Sequence, residues 1–264
     1  MNWEIFWVKK AAVSVTVALN LFTLNIQPTL AFTTQNQTKG IVNIYQVAQY
    51  TPPRGMGAPS RTVGGATRGN SCGNSQEISA LPLTALVPSL PENNNWAVTV
   101  AANPEFFVYV PKSSARKAEF VLKDEAYNDV YRTNFPISGQ AEIIEVRLPK
   151  NTALQVGKNY SWYFTIFCNP IDRSQNAFIH SWSVRTELNP ALDAQIKQAA
   201  PIERYKLYAQ NGIWHEAVAT LAAELRKNPD DSALVAEWKK LLQSAGIKNL
   251  VDAPFTLVQL EDAK

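Results

Sequence analysis

The chain has 264 residues, 46% of them hydrophobic and 18% charged, and a net charge of +3. That length allows one or two domains with a sizeable core, and so small a charge gives no argument for nucleic acid as a partner. Two histidines and two cysteines leave little material for a metal centre or a nucleophile, so no metal and no cofactor are expected.

The first 31 residues read as a secretion signal. Lys9 and Lys10 precede a nearly uninterrupted apolar run over 11–24, and Thr29 and Ala31 put small residues where a signal peptidase reads. Cleavage after Ala31 is expected, which leaves an extracytoplasmic protein (periplasm, cell envelope or secreted) with no integral membrane span. An uncleaved anchor is the alternative, although the apolar stretch is short for a bilayer. An oxidising compartment favours a bond between Cys72 and Cys168, with two free buried thiols as the other outcome.

Residues 32–60 are polar and end in a Pro/Gly-rich stretch, a composition that buries too little apolar area to order itself, so a flexible leader is expected. Six of the eleven glycines then fall between Gly55 and Gly73, alongside Arg61 and Arg68. Glycine-rich loops with basic residues can cradle phosphate, but this spacing matches neither the Walker nor the dinucleotide pattern. Several turns at positive φ are the plainer reading.

Residues 61–188 are expected to form an antiparallel β-sandwich, with strands at 83–87, 97–100, 105–110, 117–123, 129–135, 142–148, 160–168 and 177–187. Apolar alternation, aromatic and β-branched enrichment, and prolines at the punctuation points carry this reading. The strand from Tyr160 alternates Tyr160, Trp162, Phe164, Ile166 and Cys168, and the spacing Leu154, Gly157, Tyr160 resembles the tyrosine corner of immunoglobulin-like and fibronectin-like sandwiches.

After residue 188 the period changes from two to that of helices, which predicts a helical C-terminal extension over 189–264. Helices are expected at 191–200, at 202–210 opened by Pro201, at 214–227 and at 231–244, with a last extended segment at 251–260. Tyr208, Gly212, Ala217, Leu221 and Pro229 fall at the spacing of a tetratricopeptide helical hairpin, while Glu224 departs from it.

Chemistry is sparse. A hydrolytic triad would need His180 or His215, yet both sit where packing explains them, and no Gly-x-Ser-x-Gly elbow exists. Asp124, Glu125 and Asp129 crowd one turn without the alternation of a calcium loop. Asp172-Arg173-Ser174 reads as a turn held by side-chain–backbone bonds. Tyr163 and Phe167 point away from Trp162, and with Phe107 and Tyr109 they would form either an aromatic patch or a face covered by the helices.

Taken in order, 52–54, 61–69 with Cys72, 83–88, 104–111, 118–131, 157–168 with Asp172-Arg173-Ser174, and Gly212-Ile213-Trp214 resemble the exported cyanobacterial proteins catalogued as domain of unknown function 928. The resemblance implies a secreted protein with a β-rich domain and a short helical tail, and it carries over no functional residues.

The expected function is therefore that of a non-catalytic extracytoplasmic module binding a protein or a cell-envelope polymer. Arg61, Arg68, Asp172 and Arg173 are the candidate surface residues, gathered by the disulfide near the loop 169–176. The alternative is a glycan-directed envelope hydrolase using carboxylates such as Asp172 or Glu187.

Overall fold

The computed structural model describes residues 49–53, 72, 81–90, 93–94, 96–169, 171–253 and 257–259. The signal at 1–31, most of the leader and the glycine-rich stretch with Arg61 and Arg68 lie outside the described residues. The strands in chain order are β1 (Thr84–Ala85), β2 (Ser89–Leu90), β3 (Asn93–Asn94), β4 (Trp96–Thr99), β5 (Glu105–Val110), β6 (Lys117–Lys123), β7 (Asp129–Pro136), β8 (Glu142–Arg147), β9 (Asn159–Ile166), β10 (Ala177–Arg185) and β11 (Leu257–Gln259). Between the last two come helices α1 (Pro190–Gln198), α2 (Pro201–Gln210), α3 (Trp214–Lys227) and α4 (Ser232–Ser244). The described residues are mainly β, with two large sheets, a two-stranded ribbon of β2 and β3, and four C-terminal helices.

The five-stranded sheet has the order β4-β10-β9-β6-β7, and the four-stranded sheet the order β1-β5-β8-β11. β9 sits centrally because its alternation is complete: Tyr160, Trp162, Phe164 and Ile166 are all buried on one face. That face meets Phe106 of β5, whose ring lies 5.3 Å from Trp162 and 5.0 Å from Phe120. β5 reads as a nearly continuous apolar run because both of its faces are buried, while β8 is buried along most of its length in spite of Glu142 and Glu145. Phe106 and Val108 point at the other sheet. Phe107 and Tyr109 share the opposite face with Glu145, which Arg226 of α3 reaches.

The expectation of purely antiparallel pairing needs correction. β4 runs parallel to β10 and β11 parallel to β8, so both sheets are mixed. Each of these pairs is joined through most of the intervening fold, which is the long crossover that parallel neighbours require.

The helices begin and end on ordinary chemical signals. Asn189 caps α1 through Oδ1, which accepts from the N–H of Ala191, and Asp231 caps α4 in the same way. The α2–α3 hairpin turns at Gly212, whose φ is +72° and whose hydrogen faces the carbonyl of Thr51 so closely that a Cβ would stand 2.8 Å from it.

Thr51 belongs to a second correction. Residues 49–53 fall in the expected flexible leader, yet they are held against the helices. Tyr50 is only 2% exposed and packs edge-on to Trp214 at 5.0 Å. Its N–H donates to Ser244 Oγ, and the Thr51 N–H to the Ala209 carbonyl. One aromatic ring is enough to anchor a strand of otherwise polar chain.

α3 packs against β4 of one sheet and β5 of the other, so its residues enter the same core as the strands. Trp214 Nε1 donates to the Leu86 carbonyl at 2.7 Å, and Leu221 and Leu225 are fully buried. Cys72 and Cys168 are joined, with their Cα atoms 4.7 Å apart, and the Cys72 carbonyl accepts from both N and Oγ of Ser114. Among the described residues, no helix is long and apolar enough to cross a membrane.

Candidate binding surface

The described structure contains one serine–histidine pair. Ser183 Oγ lies 2.8 Å from His215 Nε2, and His215 Nδ1 donates to the Glu105 carbonyl 3.0 Å away. That carbonyl fixes the tautomer: Nδ1 carries the proton and Nε2 accepts from the serine. Both side chains are buried, and burial lowers the imidazole to a pKa of about 4. A base so weak, sealed under α3, cannot activate a hydroxyl for a substrate at neutral pH. The pair instead ties β10, β5 and α3 together. Its neighbour Glu216 does the same for β4, accepting from Thr99 Oγ1 at 2.5 Å and from the N–H groups of Val100 and Ala101. Sequence reading passed over Ser183 because its partner is 32 residues away, although a small hydroxyl residue on the core face of β10 was a usable signal.

The loop carboxylates are occupied locally. Asp172 accepts from Ser174 N and Oγ and from Gln175 Nε2, which closes the short 3-10 turn Arg173–Gln175 and holds its carboxyl below the usual range. This is the turn read from the sequence, and its purpose is structural. Arg173 is exposed beside it, and Ile171 is 93% exposed at the loop tip. Glu187 lies beyond the opposite end of β10. Nine strand residues separate the two carboxylates by about 30 Å, far outside the 5–10 Å that glycoside hydrolysis needs. At the β6–β7 tip, Asp124 accepts from Asn128 and Ala126, Glu125 from Asn159, and Asp129 pairs with Lys123 and Arg132. Among the described residues no group of acidic, histidine or cysteine side chains could hold a metal ion.

Two features of the described residues bear on binding. The first is a cleft of about 340 Å³ between the β6–β7 tip and the loop entering β9, lined by Asp124, Glu125, Val130, Gln155, Lys158 and Tyr160. Tyr160 makes the bond that its spacing implied: its hydroxyl accepts from Gln155 N at 2.9 Å.

The second is a ribbon of rings on the outer face of the five-stranded sheet. Tyr163 and His180 are register partners and stack at 4.3 Å with their rings nearly parallel. His180 lies 5.6 Å from Trp182, which stacks on Trp96 at 6.2 Å. Trp96, Val98, Trp182 and Val184 form a cluster apart from the main core. Exposure is graded along the ribbon. The two tryptophans are 6% exposed and their buried indole N–H groups have no acceptor among the described residues, while Tyr163 is half-buried. Tyr127, at the hairpin tip, is 48% exposed on a backbone at φ +64°, and it lies within electrostatic reach of Tyr163. A non-glycine residue in that conformation is uncommon and is often kept where a side chain must be displayed. The sequence grouping of Tyr163 with Phe107 and Tyr109 is wrong in one respect: those two rings face the helical side, on the far side of the other sheet. Phe167 is half-buried, with the Lys117 ammonium 5.8 Å above its ring.

Residues 63–255, more than half of the chain, match the family model described as Domain of Unknown Function (DUF928). The chain belongs to that family. No curated protein matches it. In this DUF928 protein the ribbon and the cleft are the features that bear on function.

Proposed function

We propose that this DUF928 protein is a non-catalytic extracytoplasmic binding module, an immunoglobulin-like sandwich with a tetratricopeptide-like hairpin, which holds a protein or a cell-envelope polymer on the outer face of its five-stranded sheet. The aromatic ribbon carries the reading: rings that run from the buried tryptophans to half-buried Tyr163 and exposed Tyr127 suit a partner that offers flat or apolar faces. The sandwich assignment draws support from the tyrosine-corner bond and from Phe106 packed between the sheets. The compartment draws support from the signal-like N-terminus and from the Cys72–Cys168 bond. Asp172 and Glu187, the carboxylates named for the hydrolase alternative, flank β10 from opposite ends and do not face each other.

Two measurements test the reading. The native protein should begin at Phe32, and recovery of intact Met1 in the soluble cytoplasm would end the extracytoplasmic assignment. Co-sedimentation with insoluble envelope polymer, and crosslinking to envelope proteins, should be strong for the parent protein and at least ten-fold weaker for a Tyr127→Ala, Tyr163→Ala double variant. Equal retention of a folded double variant would remove the ribbon as the binding surface.

A further inference from the structure

The cleft of about 340 Å³ at the entry to β9 is framed by backbone bonds. One wall is the β6–β7 tip, closed by the Asp124 N–H to the Asn128 carbonyl and the Tyr127 N–H to the Asp124 carbonyl. The other is the loop 153–160, held by the Leu154 N–H to the Ala102 carbonyl and by Gly157, whose φ of +76° lets its N–H reach the Arg185 carbonyl at 2.7 Å. Glu125 Oε1 joins the walls by accepting the Asn159 N–H at 3.0 Å. Val130 and Ala153 give the cleft apolar sides, and its volume is at the lower end for small-molecule sites. Tyr160 is 5% exposed, and its hydroxyl accepts from the Gln155 N–H while its own proton meets no acceptor among the described residues. The Gln155 side-chain amide has no partner there either, and Lys158 reaches only Glu125, at 3.4 Å. The carboxylates are better served: Asp124 accepts from Ala126 N, Asn128 N and Asn128 Nδ2. The bonds from Asn128 to Asp124, and from the Asn159 N–H to Glu125, hold both carboxyls below the usual range, so both stay charged at neutral pH.

We propose that this cleft binds one neutral sugar ring, free or as a unit of a glycan, whose hydroxyl oxygens accept from Tyr160 Oη, Lys158 Nζ and Gln155 Nε2 and whose hydroxyl hydrogens go to the remaining lone pairs of Asp124 and Glu125. Each sugar hydroxyl donates one hydrogen and accepts through two lone pairs, which matches a site that offers both kinds of partner. An anion would meet two carboxylates against one ammonium. A cation would find Lys158 already in place and the acid oxygens shared with N–H donors. A peptide group supplies a single donor and a single acceptor, and would leave most of these groups unmet. The C–H face of a sugar is apolar, as are Val130 and Ala153. The cleft lies apart from Tyr163, His180 and Trp182 of the ribbon, so this site holds or fails independently of that surface.

Amide NMR of the whole protein tests the site, with glucose, galactose, mannose and N-acetylglucosamine as probes. Each is titrated to about 50 mM, because a ligand of this size is expected at millimolar affinity. At least one should give saturable shifts at residues 124–130 and 153–160 and at the Gln155 side chain. Gln155→Ala and Tyr160→Phe should each weaken that binding by about five-fold or more. Sodium acetate, methylammonium chloride and N-methylacetamide should give no such response at the same concentration. The methyl glycoside of the responding sugar separates the two sources: binding that survives marks a unit of a polymer, binding that is abolished marks a free sugar, and either supports the site. Absence of saturable shifts with all four sugars, shifts centred on other residues, or an equal response to acetate, methylammonium or N-methylacetamide would each overturn the proposal. So would full affinity in both folded variants; should neither variant fold, the titrations of the parent protein decide alone.

Discussion

Replacing both Cys72 and Cys168 by alanine removes a crosslink between residues 96 apart in sequence. In the chain-entropy picture, a loop of that size constrains the unfolded state by about 4–5 kcal/mol. For a unit covering residues 46–264, where each kcal/mol moves the melting temperature by about 2–4 °C, the expected fall is on the order of 10 °C. Alanine is the right replacement, since Cys72 is buried and a serine hydroxyl there would need a partner. The native position of residue 72 should survive in part, because Ser114 still donates twice to its carbonyl. Thermal melts followed by circular dichroism, with and without reductant for the parent protein, measure the effect. The double variant and the reduced parent should agree. A melting temperature unchanged within about 2 °C, or mass spectrometry showing two free thiols in the native protein, would refute the reasoning.

Four further outcomes are expected. Ser183→Ala leaves His215 Nε2 buried without its donor and should cost about 1–3 kcal/mol in urea denaturation. Because the folded His215 pKa of about 4 lies below the unfolded 6.5, its contribution is present above pH 6.5 and fades as pH falls toward 4, so the stability gap between the parent and a His215→Gln variant should narrow across that window. A fragment of residues 61–188 loses Trp214, Leu221 and Leu225 from the shared core and should melt without cooperativity, whereas a sharp β-type transition would show that the sheets stand alone. Tyr160→Phe removes only the bond from Gln155 N and should lower stability by about 1 kcal/mol, with the fold unchanged by circular dichroism.

Local periodicity made the elements readable. Tyr160 to Ile166 alternate because one face of β9 is sealed, and Pro201, Gly212 and Asp231 mark helix ends by chemistry that acts within a few residues. Pairing at the sheet edges left no such mark, since β4 and β10, or β8 and β11, lie 80 or more residues apart in sequence and their direction depends on everything between them. A separation of 32 residues likewise hid the Ser183–His215 contact. Glu105 and Glu145 were invisible for another reason: a carboxylate in a strand normally reads as a solvent-facing position, and Arg147 on β8 together with Arg226 from a helix far along the chain makes burial tolerable. Tyr163 could be seen to leave the core, but not which layer it would face, because one strand's parity says nothing of what stands beyond it.

The placement of β11 sets an order on how the molecule can be completed during synthesis. The four-stranded sheet takes its last strand from residues 257–259, after all four helices, while β1, β5 and β8 were finished more than a hundred residues earlier. Until that strand arrives, β8 presents an unpaired edge, with Ile143 and Ile144 along it, which is the kind of surface that invites pairing with another chain. Contacts of such long sequence separation also form slowly. A nascent chain of this protein is therefore most exposed to misassembly in its final stretch, and a short deletion at the C-terminus should harm solubility more than its few residues of strand would imply.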